Sequence, residues 1–106
     1  MTPALHTPFL AVPQEVQAFA NEQGVAAYLP AVLEMTARVF PGGLQEIIVE
    51  DDPEIANDRH IVVVVNARDL DVEQGVEAHG RWHQELSACC PAPLVYPFRL
   101  SLSIAP

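Results

Sequence analysis

The chain has no lysine. Its five basic residues are all arginine, set against 14 aspartates and glutamates, for a formal charge of −9 over 106 residues. A nucleic-acid binder displaces counterions with a basic surface, and five arginines in that excess of carboxylate do not readily form one. Anionic membrane surfaces are disfavoured for the same reason. Cysteine is scarce too. Cys89 and Cys90 are adjacent, so one chain can make no disulfide beyond a strained vicinal bond. A reducing cytoplasm is the expected setting. Residues 1–8 lack the basic start and continuous apolar run of a signal peptide. The longest β-branched run, residues 61–65, is far too short to cross a bilayer.

Apolar residues, by contrast, are plentiful. They make up 50% of the chain while only 18% is charged, which excludes a disordered acidic tail. The length suits one domain that folds without staples.

Residues 1–12 read as an extended N-terminal arm, since Pro3 and Pro8 interrupt its apolar residues and Pro8 cannot donate to a strand ladder. Residues 13–106 read as a single α+β domain. Pro13 suits a first helical turn, Val16, Phe19 and Ala20 form a stripe, and Gly24 is a stop. A second helical stretch covers residues 25–39, with Pro30 either kinking or restarting it. Leu29, Val32, Leu33, Thr36 and Phe40 fall on one side of it, before Pro41-Gly42-Gly43 ends it. Strands are predicted over 44–50 and 59–67, the latter carrying four consecutive valines after Ile61. A helix over 72–89 follows, with Asp69 or Asp71 as its cap. In the last strand Phe98, Leu100, Leu102 and Ile104 alternate with Arg99, Ser101 and Ser103.

The order αββαβ implies a two-layer domain with a three-stranded sheet and helices on one face. The first two strands should pair antiparallel, and the last should run parallel to the second where they are neighbours. The alternative is a ferredoxin-like βαββαβ arrangement, which requires residues 5–12 to form a strand.

The central strand is apolar on both faces: His60, Val62, Val64 and Asn66 point one way, Ile61, Val63, Val65 and Ala67 the other. Helices are expected on only one of these. The far face therefore needs a cover, either the arm with Phe9 and Leu10 or an identical subunit packed with two-fold symmetry; a homodimer through the sheet face is the expectation.

Chemistry has few candidates. On the helix over 72–89, helical spacing groups Val72, Val76, His79, His83, Leu86 and Cys90 on one side, with Trp82 at its edge. Two histidines four apart can share a metal, and zinc is the cofactor such a pair would take. The accompanying glutamate of metalloprotease helices is replaced by Gly80, and no third ligand is specified, though His60 or Cys90 could in principle reach the pair. The plainer reading packs both histidines at the sheet margin. Gly75 falls on the buried side of this helix and Gly80 near its boundary. Glu50, Asp51, Asp52, Glu54 and Asp58 place five carboxylates within nine residues. Their spacing is not that of an EF-hand, because the required glycine is missing and Pro53 interrupts. The plain reading is a solvated loop, and its functional reading is recognition of a basic partner by Asp51, Asp52, Glu54 and Asp58.

The serines at 87, 101 and 103 lack a nucleophile-elbow context. Cys89-Cys90 lies at a helix C-terminus, whose dipole opposes thiolate formation. No catalytic residue and no cofactor are therefore expected. The reading is a small acidic accessory domain that binds a protein partner, with a metal-binding protein or metal-assisted enzyme as the alternative. Between residues 46 and 73 lie nine of the 14 acids and two of the five arginines, a balance of −7 out of −9. The charge is concentrated in the first two strands and their connections.

Overall fold

The computed structural model describes residues 12–55, 58–92 and 94–104. Along the chain run α1 (Gln14–Gln23), a 3-10 turn (Ala26–Tyr28), α2 (Leu29–Val39), β1 (Leu44–Asp51), β2 (Arg59–Asn66), α3 (Val72–Cys89) and β3 (Phe98–Ser103). This is a two-layer α+β domain of order ααββαβ, in which the helical part expected ahead of the first strand is two separate α-helices. The arm expected over 1–12, and its alternative as a strand over 5–12, lie outside the described residues except for Val12, which packs partly buried against the core.

Local chemistry accounts for the helix ends. Pro13 is the residue before α1, and its carbonyl accepts the first helical bond from the Gln17 N–H at 3.0 Å. Gly24 ends the helix at φ 73°, a left-handed conformation that glycine adopts without steric cost. Pro30 sits in the first turn of α2 and so starts a new helix after the 3-10 turn rather than kinking a continuous one. At α3 the cap is Asp71, not Asp69. Its carboxylate accepts from the Gln74 N–H at 2.8 Å, and the Gln74 side chain accepts from the Asp71 N–H at 3.0 Å. This reciprocal box satisfies two otherwise orphaned donors.

The strand order is β1-β2-β3. β1 pairs antiparallel to β2, with Ile47 opposite Val63, and β2 pairs parallel to β3, with Val63 opposite Leu100. Ile47, Ile61, Val63, Val65 and Phe98 thus share one face, and they bury against Val16, Phe19, Val32, Met35, Trp82 and Leu86 from the three helices. The far face carries Glu46, Ile48 and Glu50 on β1, His60, Val62 and Val64 on β2, and Arg99, Ser101 and Ser103 on β3. There Val62 is only 5% exposed, while Ile48 and Val64 are half-buried.

One expectation from helical spacing needs correction. The side of α3 turned to the core is Gly75, Ala78, Trp82 and Leu86, not the side centred on Val72 and Val76. Those two valines are 71% and 68% exposed. The reason is size and shape. Burying an indole withdraws roughly 150–250 Å² from water, more than any single valine. Gly75 and Ala78 on the same side also let the helix approach closely. A Cβ on Gly75 would lie 3.2 Å from the Ile104 Cδ1. Gly80 faces open space.

Candidate functional site

The acidic connection between β1 and β2 is closed by the Asp52 N–H donating to the Asp58 carbonyl at 2.9 Å. Register sets Asp51 opposite Arg59, and the guanidinium donates from Nε to Oδ1 at 2.8 Å and from Nη2 to Oδ2 at 3.4 Å. That hydrogen bond is the main reason the Asp51 carboxyl lies below its ordinary value and Arg59 above its own. Asp52 Oδ1 accepts from the Glu54 N–H at 2.8 Å, which tightens the turn around Pro53. Asp58 faces the other way, with Oδ2 3.8 Å from His60 Nδ1 and 4.0 Å from Arg99 Nη2.

The five carboxylates therefore do not converge on one point. Asp51 is neutralised by Arg59, and Asp58 is turned to His60 and Arg99. Glu50 approaches His60 Nε2, at 3.8 Å. Asp52 and Glu54 have no basic side chain within ion-pair distance among the described residues. They stand between two open clefts. One, of about 490 Å³, is lined by Glu50 to Glu54 together with His60 and Arg99. The other, of about 700 Å³, shares Asp51 to Glu54 and is completed by Phe19, Glu22, Ile55, Asp58 and Arg59. Ile55 lies at the tip of the connection and is 56% exposed. The sequence reading passed over this residue; a lone isoleucine in a run of acids is the signal that would have found it.

The histidines separate. His79 and His83 lie one turn apart with ring centroids 4.8 Å apart and planes tilted by 54°, and His83 also meets the Trp82 ring edge-on at 5.1 Å. Burial, and secondarily the charge of His79, holds the His83 imidazole below its ordinary value. His60 is on the far face of β2, across the sheet from α3, with its side chain 8% exposed. Its Nδ1 has no hydrogen-bond partner among the described residues. Cys90 points into the core, where burial, reinforced by the neighbouring Cys89, pushes its thiol up to about 11. Among the described residues no three histidine, cysteine, aspartate or glutamate side chains are grouped to hold a metal ion. The histidine pair supplies two ligands, and neither residue considered as a third is beside it.

No helix of the described residues is long and apolar enough to cross a membrane. No family model, curated protein or solved structure matches the chain.

Proposed function

We propose that this protein is a small acidic accessory domain that binds a basic segment of a protein partner in the cytoplasm and carries no catalytic activity of its own. The β1–β2 connection is the contact. The observation that carries the reading is the arrangement at its tip, where exposed Ile55 stands beside Asp52 and Glu54, both without a basic neighbour among the described residues. Protein interfaces have this composition, an apolar contact set inside a polar rim. The unpaired carboxylates would steer a basic segment toward the loop and fix its register. Asp51 and Asp58 serve differently. Their pairing with Arg59, and with His60 and Arg99, holds the ends of the connection in shape.

Self-association is the second component of the reading. Two copies of the chain would present two acidic loops to one partner, raising the effective concentration of the second contact.

Titration of the full chain with an arginine-rich peptide tests the partner reading. Binding should weaken steeply with salt, fall about tenfold or more in the double variant Asp52→Asn, Glu54→Gln, and fall again with Ile55→Ser. Binding indifferent to all three substitutions would remove the loop from the function.

A further inference from the structure

The exposed valines of α3 border a second feature. Val72 and Val76 lie one turn apart beside a groove of about 310 Å³ that is completed by Gly75, His79, Leu102 and Ile104. Along this groove runs the outer edge of β3. The Ile61 N–H donates to the Pro97 carbonyl and the Ala67 N–H to the Ser103 carbonyl, so odd-numbered residues of β3 turn their backbone groups toward β2. In a parallel strand the alternate residues turn theirs away. Leu100 and Leu102 accordingly direct both N–H and C=O outward. Among the described residues no strand pairs with this edge.

We propose that a second copy of this chain docks here, pairing β3 antiparallel with its own β3 and bringing the two Val72–Val76 flanks together. The inference deepens the self-association above and assigns it a surface; it does not depend on the role of the acidic loop.

Charge selects the occupant. Among the described residues no carboxylate lines the groove, in a chain whose net charge is −9. A basic partner would find nothing to neutralise there, whereas a second copy would set no carboxylate against another within the groove. The other sheet edge behaves oppositely. β1 carries Glu46, Glu50 and Asp51, the sort of charged edge that blocks strand addition. β3 carries one charge, Arg99, and no proline within Phe98–Ser103.

Register agrees as well. A two-fold axis through Ser101 sets Leu100 opposite Leu102 of the second copy, and both direct their backbone groups outward, as a hydrogen-bonded antiparallel pair requires. It sets Arg99 opposite Ser103, so no like charges face each other, and Phe98 opposite Ile104 on the helix side. Such a contact is self-complementary and closes at two chains. The far face of the sheet offers less. Val62 is already 5% exposed there, and Glu46, Glu50 and Arg99 border the half-buried Ile48 and Val64.

Sedimentation equilibrium of the full chain is the test. The wild type should sediment at twice the chain mass. The double variant Val72→Glu, Val76→Glu should halve it, with the circular dichroism spectrum unchanged because both side chains are exposed in the single chain, and with a melting temperature that, unlike that of the wild type, no longer rises with protein concentration. Val64→Glu, on the far face, should remain a dimer. A wild type that stays monomeric at high concentration overturns the proposal, whether the flank is bare or covered by residues 1–11. So does a dimer that survives the double substitution. A dimer lost with Val64→Glu but kept with Val72→Glu, Val76→Glu assigns the interface to the sheet face; it defeats this surface while leaving self-association standing. Peptide binding to the acidic loop is read separately and is not touched by any of these outcomes.

Discussion

The Trp82 indole Nε1 donates to Thr36 Oγ1 at 2.9 Å across the contact between α3 and α2, and neither residue has measurable exposure. Thr36 Oγ1 in turn donates to the Val32 carbonyl at 2.7 Å, one turn back on its own helix. The hydroxyl is thus used as acceptor and donor at once, and it fixes the rotation of α3 that exposes Val72 and Val76.

Thr36→Val keeps the shape of the site and strands the indole N–H without an acceptor. The expected cost is about 1–3 kcal/mol, the desolvation penalty of a buried unpaired donor. Urea unfolding followed by tryptophan fluorescence reads it directly. An unchanged midpoint would mean that α3 is positioned by packing alone.

The two helical glycines of α3 should respond in opposite ways to alanine. At Gly80 a Cβ meets nothing within 4 Å, so Gly80→Ala should stabilise by about 1 kcal/mol through helix propensity. At Gly75 the new Cβ would lie 3.2 Å from Ile104 Cδ1 and 3.3 Å from its Cγ2. The gain there should vanish or turn into a loss, because the Ile104 side chain must give way by a few tenths of an ångström. Thermal melting of both variants settles the contrast.

Cys90 should resist thiol reagents. Its thiol is pushed up to about 11, first by burial and then by the neighbouring Cys89. At neutral pH, iodoacetamide should label Cys89 in the folded protein and both cysteines only in denaturant, checked by mass spectrometry. The same shift links to stability. A thiol ionises near 9.0 when unfolded, and the folded state disfavours the thiolate, so stability falls as pH rises from about 9.0 through the folded value.

His83 gives the acid-side counterpart. Its folded value lies below the ordinary 6.5, through burial and then the charge of His79. Above 6.5 both states are neutral and stability is unaffected. As pH falls below 6.5 the unfolded state takes up the proton first, so stability is lost until the folded imidazole also titrates. His83→Gln should match the wild type above neutrality, allowing for the substitution itself, and lose less of its melting temperature on acidification to pH 5. Equal acid losses in both proteins would contradict the linkage.

Much of the fold was legible without coordinates because its signals are local. Gly24, Pro30, Pro41-Gly42-Gly43 and Asp71 punctuate the chain by backbone chemistry, and strand alternation in Phe98–Ser103 repeats every second residue whatever lies opposite. The candidate site was legible only as composition. Sequence showed five carboxylates close together. It could not show that Asp51 is taken by Arg59 eight residues on, or that Asp58 turns toward Arg99, because those partners are set by strand register.

What the sequence determined by itself is the succession of helices and strands, the antiparallel pairing of the first two strands, and the concentration of acid between residues 46 and 73. These depend on periodicity, turn chemistry and charge count, each readable within a short window. That β3 lies beside β2, and so runs parallel to it, was decided by the structure. The rotation of α3, the exposure of Val72 and Val76, the separation of His60 from His79 and His83, and the position of β3 at the edge of the sheet among the described residues were decided by tertiary structure alone. Each depends on which of several competing burials is largest. Burying Trp82 against Thr36 withdrew the larger apolar surface, and the valines were left facing solvent.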